Sequence, residues 1–89
     1  MNHTCIDVDV WCKWDTTPPV YRLYVDDHLL TERTFTWETS RHYIREHIEV
    51  LLDNGWHEVR IEDCSNGRAK FITDNITVNG QGTGAKFVV

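Results

Sequence analysis

Ten consecutive positions near the start of the chain alternate in polarity. Ile6, Val8, Val10, Cys12 and Trp14 fall on one side of an extended backbone, and Cys5, Asp7, Asp9, Trp11 and Lys13 fall on the other. Period-two alternation of this length predicts a β-strand with one face on a core. The side that carries the aspartates is expected to face solvent, which leaves Trp11 partly exposed unless another element covers it.

Asp15-Thr16-Thr17-Pro18-Pro19 ends that strand, because consecutive prolines supply no ladder donors. Val20–Val25 (VYRLYV), rich in β-branched and aromatic residues, reads as a second strand. Asp26-Asp27-His28 is a turn, and Leu29–Trp37 returns as a third strand with Leu29, Thr31, Arg33, Phe35 and Trp37 on one side.

The segment from Thr39 to Leu52 supports two periods. At 3.6 residues per turn, Tyr43, Ile44, His47, Ile48, Leu51 and Leu52 form an apolar stripe, with Ser40 as a cap and Asn54-Gly55 as a stop. At period two, Ile44, Ile48 and Val50 share a face, with Glu46 among them. Asp53-Asn54-Gly55 is a hairpin signal, and Trp56–Glu62 alternates behind it. The strand is therefore preferred. A helix at about 40–52 is the alternative and makes the domain α+β.

Ser65-Asn66-Gly67 is a further turn, Ala69–Thr73 and Asn75–Asn79 are short strands, Gly80–Gly84 is a glycine-rich connector, and Ala85–Val89 is a strand-like tail. Short strands separated by turns at this spacing predict a small all-β domain over 1–89, an antiparallel sandwich or jelly roll.

Composition narrows the function more than it names it. With 89 residues the chain is one domain, too small to hold a large internal cavity without giving up core. A hydrophobic share of 40% against 26% charged residues is that of a folded globular domain. The net charge of −5, with nine scattered basic residues, disfavours nucleic acid and anionic membrane as partners. The polar start of the chain offers no signal-peptide pattern, so synthesis in the cytoplasm is expected and the sequons at Asn2 and Asn75 carry little meaning.

Candidate chemistry is sparse. Cys5 and Cys12 lie on opposite strand faces and cannot pair with each other, while a pairing of either with Cys64 stays open; the preferred reading of all three is small hydrophobes in a reducing compartment. Asp26-Asp27-His28 is the densest group of ligand types, but adjacent residues seldom converge on one ion. His3, His28, His42, His47 and His57 lack the spacing of a helical zinc motif. The glycine-rich stretch has no P-loop lysine, and neither Ser40 nor Ser65 sits in a nucleophile elbow. No catalytic residue, metal site or cofactor is expected.

The run Asn54-Gly55-Trp56-His57-Glu58-Val59-Arg60-Ile61 and the later Asn75-Ile76-Thr77-Val78-Asn79-Gly80 resemble the closing strands of jelly-roll carbohydrate-binding modules of the calcium-dependent xylan-binding type. Tyr21–Asp27 is similar to their "V-x-V-(D/N)-G" hairpin, although Asp27 stands where glycine is usual. No calcium or sugar ligand matches residue by residue, so the resemblance implies the fold alone. Small acidic β-sandwiches without a secretion signal also look like accessory or decoration proteins of tailed-phage particles.

Two functions follow as expectations. The first is a structural module of a larger assembly, such as a virion, that packs on other proteins or on copies of itself. Its tail, with Phe87, Val88 and Val89, would add to a partner's sheet edge. The second is a carbohydrate-binding module with Trp11, Trp37 and Trp56 as the aromatic platform for a glycan.

Overall fold

The computed structural model describes residues 1–38 and 41–89. It contains β1 (Asn2–Lys13), β2 (Val20–Val25), β3 (His28–Thr34), β4 (Tyr43–Leu52), β5 (Trp56–Asp63), β6 (Lys70–Val78), β7 (Gln81–Gly82) and β8 (Lys86–Val88). Two four-stranded antiparallel sheets, β4-β1-β6-β7 and β3-β2-β5-β8, face each other as a sandwich. The architecture is all-β and compatible with a jelly roll. No helix among the described residues is long and apolar enough to cross a membrane.

The alternation in β1 governs the first sheet. Ile6, Val8, Val10 and Cys12 are buried, and β2 answers with Tyr21, Leu23 and Val25. Phe35, Leu52, Val59, Ile76 and Phe87 complete the core. Removal of this apolar surface from water is the main force holding the sheets together.

β4 is a strand along its whole length, paired with β1 from Asn2↔Leu52 to Trp11↔Tyr43. Ile44, Ile48, Val50 and Leu52 turn inward, while Tyr43, His47 and Leu51 of the helical stripe turn outward. Ten paired positions with a central strand outweigh the intrinsic helical pattern. The Ser40 cap of the helix alternative lies outside the described residues.

Four details differ from expectation. Asp53-Asn54-Gly55 closes no hairpin: β4 pairs with β1 and β5 with β2 and β8, so this turn carries the chain from one sheet to the other. β3 has a bulge at Leu30, since Leu23 pairs with Thr31 and Tyr24 with Leu29. The bulge sends Leu30 toward the core and leaves Leu29 exposed, off the side it was expected to share with Phe35. The two short strands at 69–79 are one strand, β6, with its irregularity opposite Val8 and Asn75 at φ 53°. The glycine-rich connector holds β7, reached by the two-residue turn Asn79-Gly80, whose φ values of 51° and 83° suit a mirror-image hairpin turn.

Candidate functional site

The outer face of the first sheet concentrates the exposed chemistry. β1 is its second strand, so its outward residues Asp7, Asp9 and Trp11 have neighbours on both β4 and β6. The strand register stacks them in rows: Tyr43–Trp11–Ile72, then Arg45–Asp9–Asp74, then His47–Asp7–Thr77, then Glu49–Cys5.

The first row is apolar and solvent-facing. The Trp11 and Tyr43 rings lie 4.7 Å apart at 36°, and both Tyr43 and Ile72 are exposed. Tyr43 is the cover that Trp11 was expected to need. Beside the row is a shallow cleft of about 410 Å³ lined by Trp11, Lys13, Lys70, Ile72 and Asp74. Lys13 and Lys70 are direct cross-strand partners, and neither forms an ion pair with a described carboxylate.

The aspartates of β1 do not simply face water. Asp9 is buried, accepting Arg45 Nη1–H at 2.7 Å and Asn75 Nδ2–H at 3.2 Å. Asp7 is half-buried, 2.8 Å from His47 Nδ1. A carboxylate withdrawn from water persists where donors replace the lost hydration.

The last row ends in a cluster of ligand types. His3 Nε2 lies 3.7 Å from Glu49 Oε1, and Cys5 Sγ donates to the same oxygen across 3.7 Å. Sequence reading missed this group because it looked for helical spacing. The usable signal is the strand pair His3-x-Cys5; Glu49 joins only through the β1–β4 register.

The three candidate tryptophans do not form one platform. Trp56, 75% exposed, lies on the outer face of the second sheet opposite Val88, across the sandwich from Trp11. Trp37 follows β3, stacks on His42 at 4.8 Å, and its carbonyl accepts the Trp14 indole N–H at 2.7 Å. Of the tail residues, Phe87 is in the core at 4% exposure and offers no surface to a partner, Val88 is exposed, and Val89 is half-buried. The tail pairs within its own chain, β8 against β5, with Val89 and Gly55 exchanging backbone bonds of 2.9 and 3.0 Å.

Other candidate groups have structural partners. Asp26, at φ 55°, accepts the Glu58 N–H and contacts His57, while Asp27 points to solvent 4.0 Å from Arg60. The Ser65 hydroxyl bonds the Asp63 carboxylate within its turn. Burial raises the pKa of all three free thiols, that of Cys12 to about 11. They are protonated near neutrality, and the thiol is the weak nucleophile of the pair.

Between the sheets, Arg33 of β3 reaches Glu46 of β4 at 2.5 Å, and Glu46 is only 3% exposed. The buried Tyr21 hydroxyl is close by. Burial first, and Glu46 second, raise its pKa.

No protein-family model, curated protein or solved structure matches the chain.

Proposed function

We propose that the protein is a non-enzymatic interaction module, of the kind that decorates a larger particle such as a phage virion, and that it docks by the outer face of the first sheet. The observation that carries this reading is the row Tyr43–Trp11–Ile72 beside the opposed Lys13 and Lys70. An aromatic centre with apolar neighbours has the composition of an interface hot spot. Like charges placed directly across a ladder repel one another. Carboxylates on a partner relieve that repulsion, so the surface suits a protein patch that is apolar at its centre and acidic at its rim.

Further support is that four arginines are already engaged within the chain. Arg22, Arg33, Arg45 and Arg60 all lie within 4.0 Å of a carboxylate, and the thiols are held protonated. A second reading, glycan binding, is favoured by the cleft itself, where the Trp11 ring lies beside hydrogen-bonding groups of Asp74, Lys13 and Lys70.

A photo-activated cross-linking residue placed at Ile72, or at Glu32 on the opposite outer face, tests both readings in the cells that make the protein. The expected result is a protein adduct of defined mass from position 72, absent from position 32 and lost when Lys13 and Lys70 become Glu. An adduct from position 32 alone would refute the docking face. Retention on a polysaccharide gel that disappears with Trp11→Ala would favour the glycan.

A further inference from the structure

At the far end of the same face, β1 and β4 bring three different ligand types together. His3 and Cys5 are two residues apart on a strand, so both project outward. Glu49 is the direct cross-strand partner of Cys5. The candidate ligand atoms of His3, Cys5 and Glu49 all lie within 4.8 Å of one another. We propose that His3, Cys5 and Glu49 form a transition-metal site whose ion is Zn²⁺.

The chemistry of the donors selects the ion. A thiolate, an imidazole and a carboxylate are the zinc set, whereas Ca²⁺ and Mg²⁺ require oxygen throughout. Bond lengths of about 2.3 Å to sulfur and about 2.0–2.2 Å to nitrogen and oxygen place tetrahedral ligand atoms about 3.3–3.6 Å apart. The existing 3.7 Å separations of His3 Nε2 and Cys5 Sγ from Glu49 Oε1 are close to that spacing. Metal entry displaces the Cys5 thiol proton to solvent and draws the three ligand atoms inward, and the largely exposed side chains of His3 and Glu49 have room to rotate for it.

The backbone under the site is held from its other side. Asn79 Oδ1 accepts the Cys5 N–H at 2.9 Å, and the Asn79 N–H donates to the Cys5 carbonyl at 2.8 Å. The backbone that carries the Cys5 thiol is therefore held in place before metal arrives. Three protein ligands leave a fourth position open to solvent, for water or for a donor from a second molecule. The site is separate from the proposed docking row, since Cys5 and Trp11 are six strand residues apart, roughly 20 Å. It does not depend on that reading.

Titration of the reduced protein with Co²⁺, followed by displacement with Zn²⁺, is the test. The expected result is a thiolate-to-cobalt charge-transfer absorption that saturates at one ion per chain and is abolished by Zn²⁺ but not by excess Mg²⁺. Cys5→Ser removes the absorption. His3→Gln and Glu49→Gln each weaken Zn²⁺ binding by about tenfold or more, at least the loss seen for groups that only orient a ligand. Cys64→Ser leaves it unchanged. These side chains lie outside the core, and circular dichroism verifies that each variant is folded. Absence of the charge-transfer band in the wild type, its persistence in Cys5→Ser, its loss in Cys64→Ser, or unchanged Zn²⁺ affinity in both other variants would overturn the site.

Discussion

His57 Nδ1 lies 2.8 Å from Asp26 Oδ2, while its Nε2 lies 2.7 Å from the carbonyl of Asp53. The ring thus joins the β2–β3 turn to the crossing between β4 and β5. A carbonyl and an ionised carboxylate can only accept, so the protonated ring, with a donor on each nitrogen, is the form that satisfies both contacts. The Asp26 bond first, and the Asp53 carbonyl second, raise the pKa of His57; the His57 bond lowers that of Asp26.

The pH dependence follows from those directions. A raised His57 pKa stabilises the fold fully below the unfolded value of about 6.5, and the gain is lost as pH rises through the folded value. A lowered Asp26 pKa stabilises fully above about 3.9, and that gain is lost as pH falls through the folded value. The pair is at full strength between these limits. Thermal unfolding should show a midpoint that declines from pH 6 to pH 8.5, and His57→Gln should flatten that decline. An equal decline in the variant assigns it to other groups.

Arg33 and Glu46 bridge the sheets asymmetrically: the Glu46 side chain is 3% exposed and that of Arg33 is 49%. Loss of Arg33 strands a buried carboxylate, while loss of Glu46 leaves a guanidinium that turns into water. Solvent screening at the Arg33 end makes the intact pair itself weak. Arg33→Ala should therefore cost about 1–3 kcal/mol, the penalty of a buried group without its partner. Glu46→Gln should cost less. Urea unfolding of the two variants compares them directly, and equal costs would refute the asymmetry.

The same pair marks the limit of what could be read along the chain. Ile6, Val8, Val10 and Cys12 announced the core face of β1 because burial follows a period of two. Trp56–Glu62 was legible for the same reason, and Val20–Val25 by its β-branched and aromatic residues. Glu46 was visible only as a polar interruption, since its partner is 13 positions away on the other sheet. Asp9 was assigned to solvent because Arg45 and Asn75, 36 and 66 positions away, are invisible to a local pattern. The bulges at Leu30 and Asn75 shift register by one residue, and that shift is a property of paired strands. Trp11 was legible as a partly exposed aromatic. Its neighbours Tyr43 and Ile72, and the joining of His3 and Cys5 with Glu49, needed the register of β1 with β4 and β6.

The tail should behave as part of the fold. Phe87 is buried beside His57, ring centroids 6.0 Å apart, whereas Val88 next to it faces solvent. Phe87→Ala should destabilise by about 3–5 kcal/mol, the usual cost of an aromatic cavity. Val88→Ala should stay within about 0.5 kcal/mol, as surface substitutions do. Calorimetric unfolding separates them, and similar midpoints would place Phe87 outside the core.

Asn79 makes the last prediction the sharpest, because strain and a long-range bond meet in one residue. Its φ of 51° is left-handed, and its side chain accepts the Cys5 N–H. Asn79→Ala loses the acceptor and places a Cβ without local polar compensation in a region that costs an ordinary residue about 1–2 kcal/mol. Asn79→Gly loses the same acceptor but removes that steric cost, against a loss of about 0.5–1 kcal/mol from the greater freedom of the unfolded chain. The alanine variant should therefore be the less stable of the two. If urea unfolding ranks glycine below alanine, the turn is not strained, and the Cys5 bond is the whole contribution of Asn79.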